Sequence, residues 1–149
     1  MAANRGIHRP IVPRYTPQEL IAAFAISCLT GGLLTDITYW KSAEFIWADF
    51  SAWLISAGVV AAVLAIVVAL VDYLVFRSRR RLVPPLPYLL ASLLVLVLAI
   101  FNMMIHSRDA WTSVVPWGLT LSAATVVVLL AAALWRTMEL RRACREVEP

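Results

Sequence analysis

The stretch FSAWLISAGVVAAVLAIVVALVDYLVF, residues 50–76, holds a single charged side chain, Asp72. At 1.5 Å rise per residue it makes a helix about 40 Å long, enough to cross a hydrocarbon layer of about 30 Å. Strands of a membrane barrel would be about ten residues long with alternating polarity, and that alternation is absent. Since only helices and closed barrels satisfy the backbone in lipid, this run reads as a spanning helix.

Three more spans flank it. Residues 20–40 form the first, introduced by Thr16-Pro17-Gln18-Glu19. There Thr16 fits an N-cap, Pro17 the first helical position and Glu19 the far side of a capping box. A loop over residues 41–49 leads to the second span at 50–76. Arg77-Ser78-Arg79-Arg80-Arg81 and Pro84-Pro85 end it and permit a new helix at 86–106. A loop over 107–113 precedes the fourth span, 114–137. The expected fold class is all-α, a four-transmembrane-helix bundle that makes residues 1–149 a single membrane domain.

Composition agrees. Of 149 residues, 62% are hydrophobic and 15% charged, with a mean hydropathy of +0.82. Soluble domains run nearer 45–50% apolar and about 25% charged, and a soluble domain this small has too little interior for so many apolar side chains.

The net charge of +4 becomes informative once each cation is placed. Arg5, Arg9, Arg14, Arg77, Arg79, Arg80, Arg81, Arg136, Arg141, Arg142 and Arg145 fall on one side of the predicted bundle. Only Lys41 and Arg108 fall on the other. The positive-inside rule then puts both termini on the cytoplasmic side of the membrane. Tyr39, Trp40, Trp47, Trp111 and Trp117 gather at the outer boundary, and Tyr15, Tyr73, Tyr88 and Trp135 at the inner one, as in aromatic belts. Ala25-Ile26-Ser27-Cys28 lacks the first-position leucine of a lipoprotein cleavage box, and the apolar run continues past it, so the first span reads as a signal anchor. Cys28 and Cys144 sit at different depths, which argues against a disulfide between them.

Ionisable residues inside spans are costly and are functional candidates. Asp36 lies 16 residues past Leu20, about 24 Å along the first span. Asn102 lies as far past Leu86 in the third span, which runs the same way, so the two share a depth near the outer leaflet. His106 follows Asn102 by four residues on the same helix face, and Ser92, Val95, Ala99, Asn102 and His106 trace one stripe. The fourth span descends from that level with Trp117, Gly118, Thr120 and Ser122. A polar ligand or proton site lined by Asp36, Asn102, His106, Trp117 and Ser122 is one reading. Two others stay open at this point: a buried structural network, or an interfacial position with Asp36 hydrated or paired with Lys41 or Arg108. Asp72 lies about a turn before the arginine cluster, where pairing with Arg77 or Arg79 is the expected structural role. The cluster itself suits orientation and contact with anionic lipid. It is short and lacks interleaved aromatics, so no nucleic-acid partner is expected.

Small residues recur every four positions at Ala57, Ala61, Ala65 and Ala69, at Ser27, Gly31 and Thr35, and at Gly118 and Ser122. Such ridges let helices approach closely, within one chain or between copies in a homo-oligomer. No catalytic set and no metal site is expected: the sequence holds no Cys-x-x-Cys, HExxH, P-loop, GxGxxG or GxSxG motif. A bis-histidine haem would need two histidines at one depth, and His8 and His106 are expected on opposite sides.

Several of these residues carry a resemblance. His8-Arg9-Pro10-Ile11-Val12-Pro13, Asp36, the stretch Trp53 to Gly58, Asp72-Tyr73, Asn102 and Gly118-Leu119-Thr120-Leu121-Ser122 resemble an uncharacterised bacterial family of small four-helix inner-membrane proteins, classed as a domain of unknown function. The likeness covers about residues 8–135. It departs at Arg9, which separates His8 from Pro10 where the family tends to have His-Pro directly. Members look like companions of periplasmic sugar or sorbosone dehydrogenases and c-type cytochromes. The resemblance therefore implies an accessory or anchor subunit of a periplasmic-facing redox system, not itself an enzyme. The alternatives are a redox subunit holding quinone or haem in the outer pocket, and an oligomeric pathway for small molecules or ions.

Overall fold

A computed structural model describes residues 16–75, 86–108 and 114–147. Among these the protein is entirely helical, with four helices long and apolar enough to span a membrane. Helix α1 covers Pro17–Ser42, α2 Phe45–Val75 and α3 Leu86–His106; an irregular, kinked turn, Val114–Gly118, leads into α4, Leu119–Val147.

The α1 cap forms as its sequence requires. Thr16 Oγ1 accepts from the Glu19 N–H at 3.3 Å, and the Glu19 carboxylate accepts from the Thr16 N–H at 2.9 Å. At the other end Ala43 adopts φ 55°, ψ 19°, and its N–H closes the helix on the Tyr39 carbonyl at 2.8 Å. This left-handed residue turns the chain so sharply that only Ala43 and Glu44 separate α1 from α2. The loop expected over residues 41–49 is thus largely helix. Its charges mislead because helical periodicity places Asp49 outward while Ala48 and Ser51 face in. Glu44 also accepts a hydrogen bond from the Trp47 indole at 3.2 Å, fixing the first turn of α2.

The third helix matches its expected bounds, Leu86–His106. The fourth span does not begin as plain α-helix. Val115 is extended, at φ −121° and ψ 125°, in keeping with the bias that a proline such as Pro116 places on the residue before it. Regular α-helix resumes at Leu119.

Sequential helices run antiparallel in a closed ring, α1 against α2, α2 against α3, α3 against α4, and α4 back against α1. Asp36, Gly32 and Leu29 of α1 lie level with Ser51, Ile55 and Gly58 of α2. Each helix buries one narrow stripe: Ala25, Cys28, Leu29, Gly32 and Asp36 on α1; Val95, Ala99, Asn102 and His106 on α3. Of the residues expected at helix contacts, Ala61 and Ala65 are buried, while Gly31, Ala57 and Ala69 are half-buried. Leu29, Val59, Val95 and Ala99 form an apolar layer in mid-bundle. Leu34, Val60, Leu74 and Leu93, among many others, are exposed, as lipid contact requires.

Candidate functional site

Above the apolar layer, at the end where α1 turns into α2, each helix contributes a polar side chain to one cluster. Asp36 comes from α1, Ser51 from α2, Asn102 and His106 from α3, and Ser122 from α4. All five are buried; Asp36 and Ser51 are 0% exposed. The residues sit there because each occupies the buried stripe of its helix at the same level.

The hydrogen bonds interlock. Ser51 Oγ donates to Asp36 Oδ1 and lies 3.3 Å from the Gly32 carbonyl. Ser122 Oγ donates to Asp36 Oδ2 and accepts from Asn102 Nδ2 at 2.7 Å. His106 Nε2 is 3.0 Å from Asp36 Oδ1, and Nδ1 is 3.0 Å from the Asn102 carbonyl oxygen. One carboxylate therefore ties four helices together.

The donors decide where the protons are. A carbonyl oxygen only accepts, so His106 Nδ1 carries hydrogen. Nε2 faces a carboxylate oxygen, and that contact is attractive only if one further proton lies between them. The pair is either imidazolium with carboxylate or neutral imidazole with carboxylic acid, and its net charge is zero in both forms. That neutrality makes burial in a bilayer tolerable. The single Ser122 proton goes to Asp36, so Asn102 must turn its amide nitrogen toward Ser122. Asn102 Oδ1 is left as a buried acceptor with no hydrogen-bond partner among the described residues.

Serine, histidine and aspartate thus meet, but not as a hydrolase triad. There the carboxylate and the hydroxyl occupy opposite nitrogens of the imidazole; here both lie at Nε2, with Ser51 Oγ 3.3 Å away. The His106 side chain is 1% accessible and that of Asp36 0%, so no substrate reaches them in this conformation. Both ring nitrogens are engaged, and a haem iron could ligate His106 only by displacing a partner.

Four residues expected at a common level, Asp36, Asn102, His106 and Ser122, come together. Trp117 does not join them: it is 67% exposed. Its neighbour Gly118 faces the histidine instead, and a Cβ there would stand 2.6 Å from His106 Cε1. Asp36 is neither hydrated nor paired with Lys41 or Arg108, since its oxygens are taken by Ser51, Ser122 and His106. Ser92 leaves the expected stripe, being exposed and bonded to its own helix at the Tyr88 carbonyl, 2.9 Å away.

Ser51 and Thr125 escaped the sequence reading. Ser51 stands next to a boundary that looked like loop, although its spacing of four from Ile55 and seven from Gly58 marks it as part of their face. Thr125 is buried three residues past Ser122 and satisfied by the Leu121 carbonyl at 2.8 Å. Asp72 is half-buried near the end of α2, and its expected partners Arg77 and Arg79 lie outside the described residues. So do His8, the N-terminal arginines and Trp111; Cys28 is a buried free thiol. Among the described residues no group of three or more His, Cys, Asp or Glu could hold a metal ion.

No curated protein and no solved structure matches this chain. A family model matches residues 20–138, and the chain belongs to the family described as predicted membrane protein (DUF2231).

Proposed function

We propose that this integral membrane protein is an accessory or anchor subunit of a redox system, and that the Asp36–His106 pair is a closed proton-holding clasp that fixes the shape of one end of the bundle. The observation that carries the reading is the sealing of the cluster. Polar groups that serve each other across four helices, with no accessible edge, suit the shaping of a docking end better than turnover of a substrate. The redox partner is supported by the family resemblance. The outward orientation of the clasp is supported by the distribution of arginines, which places the short 43–44 connection and its aromatic neighbours Trp40, Phe45, Trp47 and Phe50 on the outer side.

The permeation reading has less support within one chain, because Leu29, Val59, Val95 and Ala99 close the bundle below the polar layer. Co-purification in mild detergent tests the accessory role. A redox enzyme or cytochrome should accompany the wild-type chain in fixed ratio and be lost or loosened with His106→Leu. Recovery of the chain with no redox protein, under conditions that keep the membrane complexes of the same cells intact, would overturn the proposal.

A further inference from the structure

The seam between α2 and α3 holds a cavity of about 210 Å³ walled by Ala52, Trp53, Ser56, Met103, His106 and Ser107. An apolar groove of about 660 Å³ continues from Trp53 and Ser56 along α2 toward Leu64, and to Leu20 and Phe24 of α1. Ser56 belongs to both. Among the described residues its hydroxyl has no hydrogen-bond partner, whereas the other serine and threonine hydroxyls there all have one. Ser56 lies about 8 Å further along α2 than Ser51, at hydrocarbon depth, where an unpaired hydroxyl is costly.

We infer that this cavity and groove together form a binding site for a lipid-dissolved quinone, with a ring carbonyl accepting from Ser56 and the apolar tail lying in the groove. The walls select this class. No charged side chain is accessible in the cavity, since the His106 ring is sealed toward Asp36, so a charged headgroup finds no partner. The free hydroxyl calls for an acceptor. Trp53, 72% exposed, and Met103 offer flat and polarizable faces to a ring. The volume suits a single ring, and the adjoining groove suits a chain. The site shares only its His106 wall with the clasp and does not depend on the accessory role.

The test uses the full chain in phosphatidylcholine nanodiscs with a photoreactive azidoquinone. Labelling should concentrate on the peptides holding Trp53 to Ser56 and Met103 to Ser107, and should be suppressed by decylbenzoquinone but not by decanol. Ser56→Ala should weaken the competitor about three- to tenfold, the worth of one neutral hydrogen bond. Ser56→Leu, which fills the cavity, should abolish the suppressible labelling while circular dichroism stays unchanged. Label spread evenly over the four helices, equal suppression by decanol, or indifference to both Ser56 variants would mean that acyl chains alone occupy the groove and would overturn the inference. Either result leaves the co-purification test of the accessory role unaffected.

Discussion

Asp36 and His106 are held at zero net charge by a shared proton, so their removal one at a time differs from their removal together. His106→Leu leaves a buried carboxylate without its partner, and a loss of about 3–5 kcal/mol is expected. Replacing both, as Asp36→Leu with His106→Leu, should cost clearly less than the two single losses combined, with a coupling of about 2 kcal/mol or more. Unfolding in detergent micelles measures the cycle; additive losses would mean the pair is not a unit. Gly118 supplies a second residue-scale prediction. The imidazole is pinned by Asn102 at Nδ1 and Asp36 at Nε2, so it cannot yield to a Cβ placed 2.6 Å from Cε1. Gly118→Ala should cost about 1–3 kcal/mol and shift the His106 ring resonances. Gly31→Ala is the contrast, since its Cβ would meet only the flexible tip of Leu54 at 3.3 Å, and stability should be nearly unchanged. These roles were partly legible beforehand. Depth arithmetic brought Asp36, Asn102, His106 and Ser122 to one level, but depth says nothing about azimuth. Trp117 shares that level and faces outward, while Ser51 faces in from a segment that its charged neighbours made look like loop.

The connection between α1 and α2 depends on Ala43 in the left-handed region, which costs an L-residue roughly 1–2 kcal/mol. Ala43→Gly removes that steric cost and adds some unfolded-state entropy, so a net gain of a few tenths to about 1 kcal/mol is expected. Thermal unfolding in micelles reads it directly; a loss of stability would show that the turn needs its methyl group. Helix lengths were well anticipated where polarity and periodicity change together, as at Leu86–His106. They were not where a charged residue such as Asp49 sits on the outward face of a helix already under way. The irregular start of the fourth span escaped notice because hydropathy does not register the backbone bias that precedes Pro116.

For the whole molecule, the proposed orientation predicts that Glu44→Cys reacts with a membrane-impermeant maleimide on intact cells, whereas Arg142→Cys reacts only after the membrane is opened, both measured with Cys28 and Cys144 replaced. The reverse pattern would turn the bundle over and place the clasp on the cytoplasmic side. That the chain spans a bilayer in four helices followed from its sequence alone, because twenty-residue apolar runs have no other stable solution in a bilayer. The sequence also set the level of its few ionisable groups, since rise per residue is fixed. Only the tertiary structure decided that the Asp36 carboxylate and the Ser51 hydroxyl meet at the same imidazole nitrogen, that the cluster is sealed, and that Ser56 has no hydrogen-bond partner among the described residues. Lipid and bundle interior are equally apolar, so hydropathy cannot say which face of a spanning helix turns inward; close packing at small residues such as Gly32, Gly58 and Gly118 sets that angle.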